Sequence, residues 1–289
     1  MQSPTKMAVL NAEPLDMSRS FLPEALAGVS VLRALDDIDR HRLEPIRACS
    51  YLHLFDLLEA ALGDAARERA RHDVDTRDVL APLLRFDAFD HHELFHAFGS
   101  ELTRAMPVAP RLVCASGALA AAFEHASPLA LLVLALHFKL VTQQHYLACV
   151  RGDERLEPHF VRFLKQHWAV ECGASAKQSA AIVDIQHALG RATPGRVAPA
   201  LRDYRLLVFA IDDVLQQQAA LDVATLEEMR REPLGEEARK SITAAEVAGH
   251  RKTFLTVGIV NAAFVYAMRS LGPTAPSMLA GVVSALAAR

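Results

Sequence analysis

Helical periodicity runs through almost the whole chain of 289 residues, and it restricts the fold more than any other feature. Apolar residues recur at spacings of three and four, which places them on one face of an α-helix. Almost no segment alternates between apolar and polar residues as a half-buried strand does. Amphipathic helices must bury their apolar faces against one another. The sequence therefore predicts an all-α protein.

Proline, glycine and charged turns divide this periodicity into separate helices. We expect a single helical domain over residues 23–289, with a four-helix core and additional C-terminal helices, preceded by a loosely ordered segment over residues 1–22. The predicted helices are 23–35, 43–71, 76–106, 116–125, 128–150, 158–189, 197–231, 236–271 and 276–289. Pro45 is expected in the first turn of its helix, where its missing N–H costs little.

Composition excludes several classes of function. The chain has 31 basic and 34 acidic residues and a net charge of −3, so no overall field favours nucleic acid. Its four cysteines are scattered, which argues against a disulfide framework and for a reducing cytoplasm. The longest apolar run, 129–136, is too short for a bilayer, which needs about 20 residues. Residues 1–20 lack the apolar core of a signal peptide. We expect a cytoplasmic protein that binds neither nucleic acid nor membrane.

Two of the long helices carry residues suited to binding iron. A di-iron carboxylate bundle takes one Glu from each of two helices and Glu-x-x-His from each of the other two. His167, Glu171 and Ala174 share one helical face, with alanine at the position where a second histidine would stand. Glu59 lies among apolar residues such as Phe55, and a buried carboxylate needs a metal or a cation as partner.

The helix predicted at 76–106 allows two registers for its candidate ligands. Glu93 and His96 form a literal Glu-x-x-His pair. An apolar stripe instead turns Ala88 and His91 towards the interior and leaves Glu93 and His96 in solvent. The stripe consists of Leu84, Phe95, Phe98 and Leu102. We favour the register of the stripe, with His91 as the ligand, and the Glu93/His96 register stays open.

A lysine stands where the helix predicted at 128–150 would be expected to supply a glutamate. Lys139 lies near the middle of this apolar helix. Inside a carboxylate cluster it would supply the positive charge that a metal otherwise provides, whereas at the helix edge it would extend to solvent. His137 and His145 are interpreted as surface residues or as supports for the ligands, rather than as ligands.

Several blocks of sequence resemble the non-haem di-iron oxygenases of the aminoarene N-oxygenase type, which includes p-aminobenzoate N-oxygenases. The matching blocks are 46–59, Leu94-Phe95 with Phe98, Leu136-His137, Thr142-Gln-Gln-His-Tyr146, 156–160 and His167-Trp168 with Glu171, with weaker similarity over 218–222 and 253–258. The Thr-Gln-x-His-Tyr and His-Trp blocks are the specific ones, and the resemblance covers about 43–273. It implies a ferritin-like four-helix bundle core with additional C-terminal helices.

The resemblance also implies where metal ligands would fall. The family's ligand positions correspond to Glu59, Ala88, His91, Lys139, His167, Glu171 and Ala174. Glu59, His91, His167 and Glu171 retain side chains that bind metal, whereas Ala88, Lys139 and Ala174 replace ligands. A further family histidine is replaced by Asn261. Changes around metal ligands typically cost about 10–100-fold in affinity, and the loss of three ligands should cost far more.

These replacements favour a protein whose metal site is degraded. We expect a non-catalytic or altered role, either the binding of a small ligand or service as a partner subunit, with no catalytic residues. The alternative is an active non-haem iron oxygenase with a rearranged di-iron or mononuclear site, because two His and two carboxylates suit Zn, Fe or Mn. A helical interaction protein unrelated to metals is a third hypothesis. The sequence does not decide whether the cofactor is iron or whether there is none. It also does not decide whether the protein is a monomer or a homodimer.

Overall fold

The computed structural model describes residues 14–28, 32–84, 88–172 and 180–289. In these ranges the regular structure is helical, apart from an isolated bridge between Ser20 and Leu156, which confirms the all-α prediction. The helices are α1 (Glu24–Ala27), α2 (Asp37–His72), α3 (Val74–Leu84), α4 (Ala88–Ala105), α5 (Gly117–His125), α6 (Pro128–Gln144), α7 (Pro158–Cys172), α8 (Ala180–Gly190), α9 (Pro194–Arg230), α10 (Glu236–Arg251), α11 (Val257–Ile259), α12 (Ala262–Leu271) and α13 (Thr274–Ala288).

Some helix boundaries differ from those predicted. Helix α2 begins at Asp37 because the side chain of Asp36 accepts a hydrogen bond from the backbone N–H of Asp39 and caps it. Pro45 therefore lies inside the helix, and its predicted place in the first turn is wrong. Within the helix predicted at 76–106 the structure describes α3 and α4, and within the one predicted at 158–189 it describes α7 and α8, while residues 85–87 and 173–179 lie outside the described ranges.

Two π-helical turns interrupt helices that the sequence predicts as continuous. The first π turn (His145–Val150) follows α6, and the second π turn (Lys252–Thr256) follows α10. Beyond the second, Asn261 caps α12 by accepting from the N–H groups of Ala263 and Phe264. A π-helical turn is wider than an α-helical turn, and a sequence periodicity of 3.6 residues does not reveal it. Such turns often occur at functional sites.

Several helices pack against one another around the core. Helix α2 contacts α4 and α6, and α7 contacts the same two helices. Helix α9 packs against α2, α5, α6 and α10, while α3 and α8 also contact α6. Phe55, Phe98, Phe160 and Phe163 are among the largest fully buried side chains. Large aromatic side chains of this kind dominate the energetics of a core.

Part of the predicted loosely ordered N-terminal segment packs against this core. Phe21 is fully buried and meets Phe160 edge to face at a centroid distance of 5.9 Å. The N–H of Glu157 donates to the carbonyl of Ser20 over 2.8 Å. Residues 14–22 are therefore part of the packed structure, while residues 1–13 lie outside the described ranges. Of the helix predicted at 23–35, α1 forms and ends at Gly28, whose φ is +59°.

No single helix in the described part of the chain has both the length and the apolar character needed to cross a membrane. Two pairs of helices joined by a bend, Gly117–His125 with Pro128–Val150 and Glu236–Ile259 with Ala262–Leu271, meet that requirement only when each pair is taken together.

Candidate functional site

Two of the predicted ligands meet in the interior between α2 and α7. Oε1 of Glu59 lies 3.5 Å from Nε2 of His167. The side chain of His167 is 1% exposed and that of Glu59 is 13% exposed. This pair, the Glu59–His167 pair, is therefore almost completely removed from solvent.

Aromatic rings enclose the Glu59–His167 pair. Phe55, one turn before Glu59, lies 6.0 Å from the His167 ring, and Phe95 lies 4.8 Å from it, both edge to face. The ring of Phe163 stacks at 6.4 Å. These rings keep water away from the pair, and in such surroundings polar contacts are electrostatically stronger than in bulk solvent.

The structure leaves some predicted ligand positions undescribed. Ala88 and His91 lie in α4 and Glu171 lies in α7, but their side chains are not among those described. Ala174 lies outside the described ranges altogether. Lys139 is half-buried on α6. The candidate site can therefore be described only through the Glu59–His167 pair and the residues that contact it.

Helix α4 presents the apolar face that its stripe predicts. Phe95, Phe98 and Leu102 are buried, while Glu93 and His96 are exposed. The predicted direction of these three apolar residues is confirmed, and Leu84, the fourth member of the stripe, is the last residue of α3. The exposure of Glu93 and His96 argues against the register in which they bind a metal.

His137 is not a surface residue, contrary to one of the two interpretations from sequence. It is fully buried, and its Nε2–H donates to the carbonyl oxygen of Phe254 over 2.9 Å. Its Nδ1 is then the acceptor for the hydroxyl of Tyr204, 2.7 Å away. Burial lowers the pKa of His137 to about 4, although the bond to Phe254 opposes the shift. His137 therefore holds α6 against the second π turn as a neutral imidazole.

His145 is also buried, beside the Glu59–His167 pair. Its Nδ1 lies 3.0 Å from the hydroxyl of Tyr51. Burial lowers the pKa of His145 to about 3, and nearby His167 lowers it further, whereas the backbone of Thr253 opposes the shift. Burial also raises the pKa of Tyr51 well above its usual value, and the charge of Glu59 adds to the rise. Tyr51 and His145 thus form a neutral polar pair.

Both π turns meet at this site. His145 begins the first π turn, and Phe254 in the second lies 4.9 Å from Phe55 between ring centroids. The sequence contains one signal for this arrangement, because His137 lies within a mostly apolar stretch of α6, and a buried histidine must be hydrogen-bonded. The widened turns themselves leave no pattern that periodicity detects.

Stability should fall as the pH falls below about 6.5, because His137 and His145 stay neutral in the fold. In the unfolded chain each imidazole takes up a proton near its ordinary pKa of 6.5, whereas in the fold each does so only at about 4 and about 3. Between these values the unfolded state holds more protons, so acid favours unfolding by up to about 1.4 kcal/mol per pH unit for each imidazole.

His145→Gln should reduce this slope by about 1.4 kcal/mol per pH unit. The measurement is urea unfolding at intervals between about pH 6 and pH 5. The control is His41→Gln, at an exposed histidine of α2, for which the slope should stay as in the wild type. An unchanged slope in His145→Gln would contradict the neutral state of the buried imidazole.

A second polar cluster joins α2, α9 and α10. Asp222, Glu246 and His250 each offer a ligand atom, and these atoms lie within 4.8 Å of one another. Nε2 of His250 lies 2.7 Å from Oδ2 of Asp222. Arg47 forms a two-pronged ion pair with Glu246, with Nε 2.7 Å from Oε2. All four side chains are buried.

The atoms of this cluster that could bind a metal already have hydrogen-bond or ion-pair partners within the protein. Oδ1 of Asp222 accepts hydrogen bonds from Ser50 and from Nε2 of Gln218, the latter over 2.8 Å. Arg47 balances the charge of Glu246, and Nε2 of His250 lies within hydrogen-bond distance of Asp222. Each of the three ligand residues thus has a protein partner, which fits a structural role. Burial raises the pKa of Glu246, and the charge of Arg47 opposes that rise.

Sequence reasoning missed this cluster although part of its pattern is visible. Glu246 and His250 are four residues apart and share one face of α10. The block 218–222, which contains Asp222, suggests no more than weak similarity to a family. Asn261, predicted to replace a lost ligand, has a structural role, because it caps α12 and donates from Nδ2 to Oε1 of Gln144 over 3.1 Å.

Comparison with known proteins returns no match: no family model, no curated protein and no solved structure is similar enough to this chain.

Proposed function

We propose that this chain is a di-iron oxygenase-like protein with a degraded metal site, and that it holds a small ligand rather than activating oxygen. Helices α2, α4, α6 and α7 would form its ferritin-like core, with α9 to α13 as the additional C-terminal helices. The observation that carries the proposal is the Glu59–His167 pair, 3.5 Å apart at the positions where the family resemblance puts metal ligands.

The donor set does not fit two irons. A di-iron centre draws several carboxylates from four helices, and Ala88, Lys139 and Ala174 offer none at three of the seven ligand positions. A lysine ammonium near the pocket would also repel cations. Glu59 and His167 can satisfy each other without a metal, as a buried carboxylate and imidazole at ion-pair distance.

The surroundings of the pair support ligand binding. Ligand sites are mostly lined by apolar and aromatic side chains, with a few polar groups that fix orientation. Phe55, Phe95 and Phe163 supply the aromatic lining here, and Glu59 and His167 supply the polar groups. A ligand held there would be selected by its shape and by a small number of hydrogen bonds.

A mononuclear iron enzyme is the second candidate, favoured by one distance. Metal bonds to His nitrogen and carboxylate oxygen are each about 2.0–2.2 Å long, so two donors 3.5 Å apart are spaced as if to share one metal. This candidate needs His91 or Glu171 as further ligands. Glu93 and His96 cannot serve as these further ligands, because both side chains are exposed.

Restoring the lost ligands tests the proposal. The variant Ala88→Glu/Lys139→Glu/Ala174→His should bind markedly more iron than the wild type, approaching two irons per chain, because it restores three donors and removes a cation. The measurement is elemental analysis of protein expressed with ample iron. Lys139→Gln alone, which removes the charge but adds no ligand, is the matched control. A folded triple variant that binds no more iron than Lys139→Gln would contradict the proposed ligand positions.

A further inference from the structure

A cleft of about 440 Å³ opens between α2 and α4. Leu52, Phe95, Gly99 and Leu112 contribute its apolar walls, and Arg104 is one of the polar residues that line it. Phe95 also belongs to the surroundings of the Glu59–His167 pair, because its ring packs 4.8 Å from the ring of His167. The volume lies within the range of small-molecule sites, about 300–1,000 Å³.

The two oppositely charged side chains that line this cleft, Asp56 and Arg104, differ in their partners. Oδ1 of Asp56, a carboxylate in the lining, lies 2.7 Å from Nδ1 of His92 and so has a partner already. The guanidinium of Arg104 donates through Nε to the carbonyl of Ser100 over 3.2 Å. Among the described residues, no carboxylate lies within ion-pair distance of Arg104. The cleft thus combines apolar walls with one cation that lacks an acidic partner.

We propose that this cleft binds a small organic anion with a flat apolar body. The anionic group pairs with Arg104, and the body lies against Leu52, Phe95 and Gly99. This inference deepens the proposed function, on which it rests for the idea that the chain holds a ligand. Contact through Phe95 then links an occupied cleft to the Glu59–His167 pair.

Gly99 allows the cleft to be filled without damage to the fold. A Cβ atom added at Gly99 meets no other atom within 4 Å. Gly99→Leu therefore places a side chain into the cleft, and in helix α4 leucine is also a better helix former than glycine, by up to about 1 kcal/mol. Gly281→Leu is the matched control, because a Cβ there is equally unobstructed and Gly281 lies outside the cleft.

Two fluorescent dyes that differ by one charged group probe the cleft. Anilinonaphthalene sulfonate is a flat organic anion, and N-phenylnaphthylamine is its neutral counterpart. Both dyes are titrated into the full chain and its variants, with circular dichroism confirming the fold. Arg104→Gln should weaken sulfonate binding about threefold, as expected for an exposed ion pair, and should leave the neutral dye unaffected. Arg202→Gln, at an exposed arginine of α9, is the charge control.

Gly99→Leu should abolish saturable binding of both dyes, while Gly281→Leu and Arg202→Gln bind as the wild type does. Absence of saturable binding to the wild type, equal sulfonate binding in Gly99→Leu, or equal weakening of both dyes in Arg104→Gln would each overturn the cleft proposal. The iron measurements are independent of these titrations. A chain that carries two irons and still loses the dyes in Gly99→Leu would contradict the proposed function and support the cleft.

Discussion

Glu246→Gln should lower the free energy of unfolding by about 3–5 kcal/mol, the usual cost of breaking a buried ion pair. The substitution leaves the guanidinium of Arg47 buried without the carboxylate that balances its charge. Arg47 is 4% exposed and Glu246 is 1% exposed, so water cannot replace the lost partner. Unfolding in guanidinium chloride, followed by circular dichroism, measures the change.

Two further variants separate the effect of an unpaired charge from that of a lost contact. Arg47→Met/Glu246→Leu removes both charges and should recover most of the stability, because apolar pairs of similar volume often replace buried ion pairs at little cost. Glu236→Gln breaks the exposed pair with Lys240 and should cost less than about 1 kcal/mol. If Glu246→Gln were no more destabilising than Glu236→Gln, the buried ion pair between Arg47 of α2 and Glu246 of α10 would be contradicted.

Gly258→Ala should be the second strongly destabilising substitution, with a loss of about 3 kcal/mol, at the upper end for an overpacked core. A Cβ at this position would lie 2.2 Å from Cδ2 of His137 and 2.7 Å from Cγ2 of Val141. The imidazole cannot swing aside, because Tyr204 and the carbonyl of Phe254 hold both of its nitrogens. The backbone of α11 would have to move instead.

Gly281→Ala is the control for this substitution. Its Cβ meets no atom within 4 Å, so the change should be neutral or stabilising by up to about 1 kcal/mol, as expected in a helix interior. Thermal unfolding of both variants compares them directly. A midpoint for Gly258→Ala equal to that of the wild type would mean that His137 is not held in the position described.

Local sequence patterns predict most of the helices and the inward face of α4. Apolar spacing is a property of neighbouring residues, so Phe95, Phe98 and Leu102 can be assigned to one buried face without knowledge of the rest of the chain. Glu59 and His167 are selected by the same spacing together with a family resemblance. Their approach to 3.5 Å depends on how α2 and α7 pack, which the spacing alone does not determine.

Contacts between distant parts of the chain could not be predicted in this way. Arg47 and Glu246 are separated by 199 positions, and no local pattern joins them. The burial of His145 depends on the π turn that it begins, where one extra residue changes the faces of the helix. The prediction for Pro45 is wrong because a cap at Asp36 extends α2 before it, and a capping hydrogen bond can outweigh the usual preference of proline for a first turn.

The iron content of the wild-type chain tests the degraded metal site most directly. The protein is expressed with ample iron, purified without chelator, and assayed for iron by elemental analysis and for an oxo-bridged centre by its absorption spectrum. The loss of ligands at Ala88, Lys139 and Ala174 predicts well below one iron per chain and no oxo-bridge absorption. Close to two irons per chain, with an oxo-bridged spectrum, would contradict the proposal.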